Sequence, residues 1–223
     1  CPVGLHPTRR GWRKEIRTFA TLTDELLRLA DWLRDSQVTH VAMESTGVYW
    51  KPLYNILEAE FGVVLVNAQH IKFVPGRKTD VNDAQWIAEL LQHGLLKASY
   101  IPPVEQRDLR DLLRYRTSLI QERTREVNRV QKVLEDANIK LGSVASNVLG
   151  VSGREMIEQL IAGQDDPVQL AQLARGRLRE KISELERALT ARMRESHRLL
   201  LRLHLEHIDD LNAKITYSPY AAK

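Results

Sequence analysis

The sequence lacks the features that mark secreted, membrane-spanning or cysteine-based proteins. It holds 1 cysteine in 223 residues, Cys1, which excludes an internal disulfide and any multi-cysteine metal site. No apolar run approaches the roughly eighteen residues that cross a bilayer, so no membrane segment is expected. No charged-then-apolar leader with a small-residue cleavage site opens the sequence. These absences lead us to expect a cytoplasmic protein. A strong excess of one charge is also missing: 33 Lys and Arg against 29 Asp and Glu leave a net +4. A pI near 9.2 permits nucleic-acid binding without requiring it, so the placement of the basic residues matters more than their number.

The charged fraction of 28% suits long solvated helices. Cys1 to Arg17, with its prolines, arginines and glycines, has no periodicity and reads as irregular or incomplete. A helix follows, with Thr23 placed to cap it and Leu26, Leu27, Leu29, Ala30 and Leu33 as its apolar stripe. Val38 to Met43 reads as a short buried strand ending at Glu44, and Ser45-Thr46-Gly47 as a turn. Val48 to Phe61 reads as a helix using Tyr49, Leu53, Ile56 and Leu57, and Gly62 stops it. Val63 to Val66 is a continuous apolar run and hence a buried strand. Strand, helix and strand within about thirty residues make a βαβ unit with parallel strands, so the first half is α/β. Asp80 opens a further helix to about His93, and Ala98 to Ile101 reads as a short edge strand.

From Arg107 to Asn138 there is no glycine or proline, and one long helix is expected. At 100° per residue, Leu109, Leu112, Leu113, Ile120, Val127, Val130 and Leu134 share one side, and Arg107, Arg110, Arg114, Arg125, Arg129 and Lys132 the other. Leu141 to Gly153 reads as a loop. Leu178, Ile182, Leu185 and Leu189 step as a coiled-coil seam, which shifts at Met193 and resumes through Leu200, Ile208, Leu211 and Ile215, as at a stutter. Such a seam pairs helices within one chain or between two. The expected organisation is an α/β domain over 1–105, a long basic helix over 106–140, a helical coiled-coil region over 141–215 and a cut tail over 216–223.

Three acidic residues draw attention. Glu44 stands at the carboxyl end of a predicted parallel strand, the edge where active sites of open α/β sheets lie. Asp80 and Asp83 are three residues apart at a helix start and share a face. Gathered carboxylates repel unless a cation neutralises them, and hard ions such as Mg²⁺ prefer such oxygen ligands. Asp80 is also a good helix cap, Asp83 suits the helix dipole, and Glu44 could be a solvated loop residue, so spacing leaves both readings open. The basic helix side could track phosphates or be a solvated face of ion pairs. His70, Lys72, Arg77 and Lys78 precede Asp80 and could hold a substrate backbone. Tyr49, Trp50 and Trp86 could stack on bases, or pack in the core.

The stretch His40-Val41-Ala42-Met43-Glu44-Ser45-Thr46-Gly47-Val48-Tyr49-Trp50, followed by Gly76-Arg77-Lys78-Thr79-Asp80-Val81-Asn82-Asp83-Ala84, closely resembles the DEDD transposases of the IS110 insertion-sequence family, relatives of the Piv-type DNA invertases. The resemblance runs from about Glu15 to Lys214. It implies an RNase H-like (RuvC-like) domain followed by helical arms. It also implies one or two Mg²⁺ ions at Glu44, Asp80 and Asp83, and metal-dependent DNA strand cleavage and exchange guided by a structured bridge RNA. The implied partners are DNA, that RNA and further copies of the chain, in a bacterial cytoplasm at the nucleoid. Family members carry their first aspartate in a Gly-hydrophobic-Asp-hydrophobic-His pattern. The nearest match here is Gly4-Leu5-His6, and no aspartate precedes Asp24, so an incomplete carboxylate set is expected. The family's C-terminal domain with its serine nucleophile has no match, Ser218 fits no motif, and no nucleophile is assigned. The alternative expectation is a catalytically inert scaffold that binds RNA or DNA and dimerises.

Overall fold

The computed structural model describes residues 3–8, 11–67 and 80–217, with side chains described within 14–67 and 84–217. The chain divides into two compact units, Cys1–Pro102 and Pro103–Lys223.

The first unit opens on a β-hairpin, not on the irregular stretch expected. β1 (Val3–Thr8) pairs antiparallel with β2 (Gly11–Ile16), with Val3 opposite Ile16 and Thr8 opposite Gly11. Pro7 is tolerated because both strands of a two-stranded ribbon have an open edge. α1 (Thr23–Asp35) starts after Leu22 with no side-chain cap, so Thr23 is its first residue and not its cap. Asp24 and Glu25 favour its positive end. Its buried face holds Leu26, Leu29, Ala30, Trp32 and Leu33, whereas Leu27 is half exposed.

The expected βαβ unit is present. β3 (His40–Glu44) runs parallel to β4 (Gly62–Val66), with Glu44 opposite Val66, and α2 (Trp50–Leu57) connects them. α2 is shorter than the periodicity suggests, because Tyr49 N–H closes a turn onto Thr46 O at 3.3 Å and the chain enters the helix only afterwards. Tyr49 is therefore exposed, while Phe61, past the helix end, is buried. The edge strand expected at 98–101 reduces to one antiparallel bridge between Val66 and Ala98, extended by Ser99 N–H to Leu65 O at 2.7 Å. Pro102 and Pro103, lacking N–H groups, cannot continue it. α3 (Asp80–Gln92) packs against β3 and β1. Leu29, Trp32, Leu33, Met43, Leu57, Phe61 and Leu65 form the core between α1, α2 and the parallel pair.

The second unit is helical. α4 (Val104–Asp136) has 33 residues, about 50 Å of helix, and packs along α9 (Glu195–Tyr217). The two run antiparallel: Asp136 meets Arg194 and His197, Glu126 meets His204, and Arg123 meets Asn212. Between them lie α5 (Leu141–Val144), α6 (Val151–Ile161), α7 (Pro167–Ala171), a 3-10 turn (Gly176–Lys181) and α8 (Ile182–Leu189). α7 is capped by Asp166, whose carboxylate accepts from Val168 N–H at 3.0 Å, with Pro167 at its first position. Val130, Leu134, Ile139, Leu141, Met156, Leu160, Leu185, Leu201 and Ile208 centre one core. Each such side chain contributes about 1.5–3 kcal/mol by leaving water.

Three expectations change here. The buried side of α4 is Leu119, Glu126, Val130 and Leu134, while Leu112, Leu113 and Ile120 stay exposed. The stripe read at 100° per residue is rotated toward the face that α9 covers. The loop expected at 141–153 contains α5 and the start of α6. The seam over 178–215 is not one helix: it is divided among the 3-10 turn, α8 and α9, with Met193 in the break. Leu185, Leu189, Leu201, Ile208 and Leu211 instead fill this unit's own core, and Leu200 remains exposed.

Candidate active site

Glu44 is the last residue of β3 and lies at the carboxyl end of both parallel strands. It is half buried. Its Oε1 accepts the Thr46 hydroxyl proton at 2.9 Å. Beside it the backbone turns sharply: Ser45 N–H donates to Val66 O at 2.9 Å and Thr46 N–H to Glu44 O at 3.0 Å. The next residue, Gly47, takes φ +54°, a left-handed conformation that glycine adopts without strain. Tyr49, 83% exposed, stands at the far side of this turn.

Asp80 and Asp83 occupy the first turn of α3, the helix packed on β3. Their side chains lie outside the described residues, as do His70, Lys72, Arg77 and Lys78 entirely. α3 is tied to the hairpin by a hydrogen bond from Lys14 to Gln85, whose amide in turn donates to Glu89 at 2.8 Å. Among the described residues, no group of three or more His, Cys, Asp or Glu side chains is arranged to hold a metal ion. Of the three expected ligands only Glu44 has a described side chain. Carboxylate oxygens are the ligands that a hard divalent cation prefers, and all three expected ligands are of that type.

Of the three aromatic residues, Trp50 is half buried against the core and meets Tyr54 edge-on at 5.6 Å, and Trp86 is half buried in α3. Tyr49 alone of the three is free in solvent. Sequence reasoning passed over Thr46 as a turn residue. A threonine two residues beyond a strand-end glutamate was the available signal.

In the second unit, the basic side of α4 is exposed and divides in two. Arg129 pairs with Glu126, Arg114 lies 3.5 Å from Asp111, and Arg107 has an interaction of its own. Arg110, Arg125 and Lys132 are exposed and make no hydrogen bond or ion pair among the described residues. The segregation of charge is therefore physical, but about half of it is neutralised locally.

Residues 7–139, more than half of the chain, match the transposase family model of the DEDD, IS110 type. The chain belongs to the IS110 family of DEDD transposases. Two relatives agree. The transposase for insertion sequence element IS1111A of Coxiella burnetii is 33% identical over 78 residues, which are 34% of this chain and 21% of that protein. A probable family 20 transposase of Pseudomonas aeruginosa is 26% identical over 197 residues, covering 83% of this chain and 56% of that protein. This IS110-family chain thus spans only part of the length of these curated relatives. The match includes β3, α3 and the whole of α4, so both carboxylate motifs and the basic helix lie inside the family region. No helix among the described residues is long and apolar enough to cross a membrane.

Proposed function

We propose that this chain is the carboxylate-bearing part of a DNA transposase, an RNase H-like (RuvC-like) domain followed by helical arms. The observation that carries the reading is the placement of Glu44 at the end of a parallel strand on which the helix beginning with Asp80 and Asp83 packs. In this reading Glu44, Asp80 and Asp83 hold one or two Mg²⁺ ions. Such ions would stabilise the attacking and leaving oxygens of a phosphodiester displacement. The protein's own task is to supply oxygen ligands from rigid elements and to hold the nucleic-acid backbone. His70, Lys72, Arg77 and Lys78, just ahead of Asp80, would neutralise phosphates there, and Tyr49 would offer a base a stacking face. DNA is the proposed substrate. A structured guide RNA, held by shape and phosphate contacts, and further copies of the chain are the proposed partners, acting at the bacterial nucleoid.

Asp83→Asn in the intact transposase is expected to abolish transposition while leaving the protein folded. Full activity of that variant would remove the catalytic assignment.

A second reading, an inert scaffold that binds RNA or DNA, is supported by Arg110, Arg125 and Lys132, three cations without partners among the described residues. Activity and binding of the same variant, taken together, separate the two. A scaffold keeps its salt-sensitive affinity for nucleic acid in Asp83→Asn, and loses about one unit of log–log salt slope per cation when these three are replaced by alanine.

A further inference from the structure

The loop that follows Glu44 is fixed by its own backbone. The parallel hydrogen-bond ladder runs one residue past the carboxylate, through Ser45 N–H to Val66 O at 2.9 Å. Thr46 N–H then returns to Glu44 O at 3.0 Å, and Thr46 O accepts from Tyr49 N–H at 3.3 Å. Both backbone groups of Thr46 are thus engaged, and its hydroxyl donates to Glu44 Oε1 at 2.9 Å. Glu44 Oε2 has no hydrogen-bond partner among the described residues. Among the described residues the two oxygens of this carboxylate are therefore not equivalent: one is held by Thr46 and the other is not held.

We infer that Thr46 is a positioning residue, whose hydroxyl fixes Glu44 Oε1 so that Oε2 alone is offered to a divalent cation. This rests on the reading of Glu44 as a cation ligand. A glutamate carboxylate turns about a broad terminal torsion, and ordering it costs free energy when an ion binds. A small octahedral cation tolerates little deviation in ligand direction. A hydrogen bond to an ionised carboxylate is stronger than one between neutral groups, so the threonine hydroxyl can hold the group even at a partly solvated site. Valine has the same branched shape and no donor; serine keeps the donor and loses only the methyl.

The test uses Mn²⁺ as the probe, titrated into the full chain with free ion counted by electron paramagnetic resonance, and a thermal melt of each variant. Glu44→Ala is expected to lose the site. Thr46→Val is expected to weaken Mn²⁺ binding about three- to tenfold with an unchanged melt, and Thr46→Ser to restore it to within about twofold of the starting chain. If Glu44→Ala loses binding but Thr46→Val binds normally, the positioning role is overturned while the ligand reading stands. Equal weakening in Thr46→Val and Thr46→Ser also overturns it, because a hydroxyl effect must be rescued by serine. Normal binding by Glu44→Ala, or no binding by the starting chain, overturns the ligand reading and the positioning role together.

Discussion

Among the described glycines, Gly153 leaves the least room for a side chain. It is buried in the first turn of α6, and a Cβ built there would lie 2.2 Å from the Val148 carbonyl oxygen. That neighbour is backbone and cannot swing aside. Gly153→Ala should therefore lose about 2–3 kcal/mol or more by overpacking, read as a lowered denaturation midpoint. An unchanged midpoint would show that the turn before α6 can yield. Asp136 makes a different kind of prediction. The hydrogen bond from His197 Nε2, at 2.8 Å, with the Arg194 cation beside it, holds its carboxyl below the ordinary value of 3.8. A carboxyl lowered in the folded state stabilises the fold above its ordinary value, and that contribution disappears as pH falls through the lowered one. At pH 7 the chain should thus melt above Asp136→Asn, with the gap narrowing below pH 3.8 and closing in stronger acid. A gap that stays constant from pH 7 to strong acid contradicts this.

At the scale of elements, the antiparallel pair α4 and α9 carries a ladder of unlike polar contacts inside an otherwise apolar interface. Glu126, 4% exposed at its side chain, takes a hydrogen bond from His204 Nδ1 at 2.8 Å and an ion pair from Arg129. Glu122 faces His207 at 3.6 Å, and Arg123 donates to Asn212 at 2.6 Å. Hydrophobic seams slide by a turn at little cost, whereas these pairs meet in one register only. Removing one partner strands a buried charge. His204→Ala should cost about 3 kcal/mol, and the double variant Glu126→Leu, His204→Leu should recover most of it in urea melts. Equal stability of His204→Ala and the unmodified chain would show that Arg129 suffices for the carboxylate. The same interface explains why the periodicity of α4 pointed slightly wrong. Glu126 and Arg123 sit on its covered side, and polar residues there hide the true stripe from a hydrophobic count.

On the scale of the molecule, each unit has a core of its own. Among the described residues, the helical unit buries eighteen side chains in one cluster, from Val130 to Ile208, all of them within that unit. Residues 103–223 expressed alone should accordingly give a helical circular dichroism spectrum and a single cooperative thermal transition. A broad, non-cooperative melt would show that this core depends on the first unit.

Much of the first unit was legible in the sequence. The apolar runs around Ala42 and Leu65, separated by one helix, read as a parallel pair, because parallel neighbours need a crossover of a dozen or more residues and the helix supplies it. The strand-end position of Glu44 follows from the same pattern. The hairpin at β1 and β2 was not legible, since Pro7 and scattered arginines mask the alternation that marks a strand.

The candidate site divides in the same way. Sequence by itself singled out the proposed carboxylates: Glu44, Asp80 and Asp83 stand out through their motifs and their places at a strand end and a helix start. It also determined that α4 would be basic on one side. Only tertiary structure decided that α3 lies against the strand ending in Glu44, that Thr46 engages one oxygen of that carboxylate, and that Arg110, Arg125 and Lys132 have no partner among the described residues where Arg114 and Arg129 have one. The reason is physical. Local order depends on side-chain period and capping, which are written along the chain. The direction of a carboxylate oxygen and the pairing of a charge depend on groups within about 3 Å, set by backbone turns and by helix packing rather than by spacing.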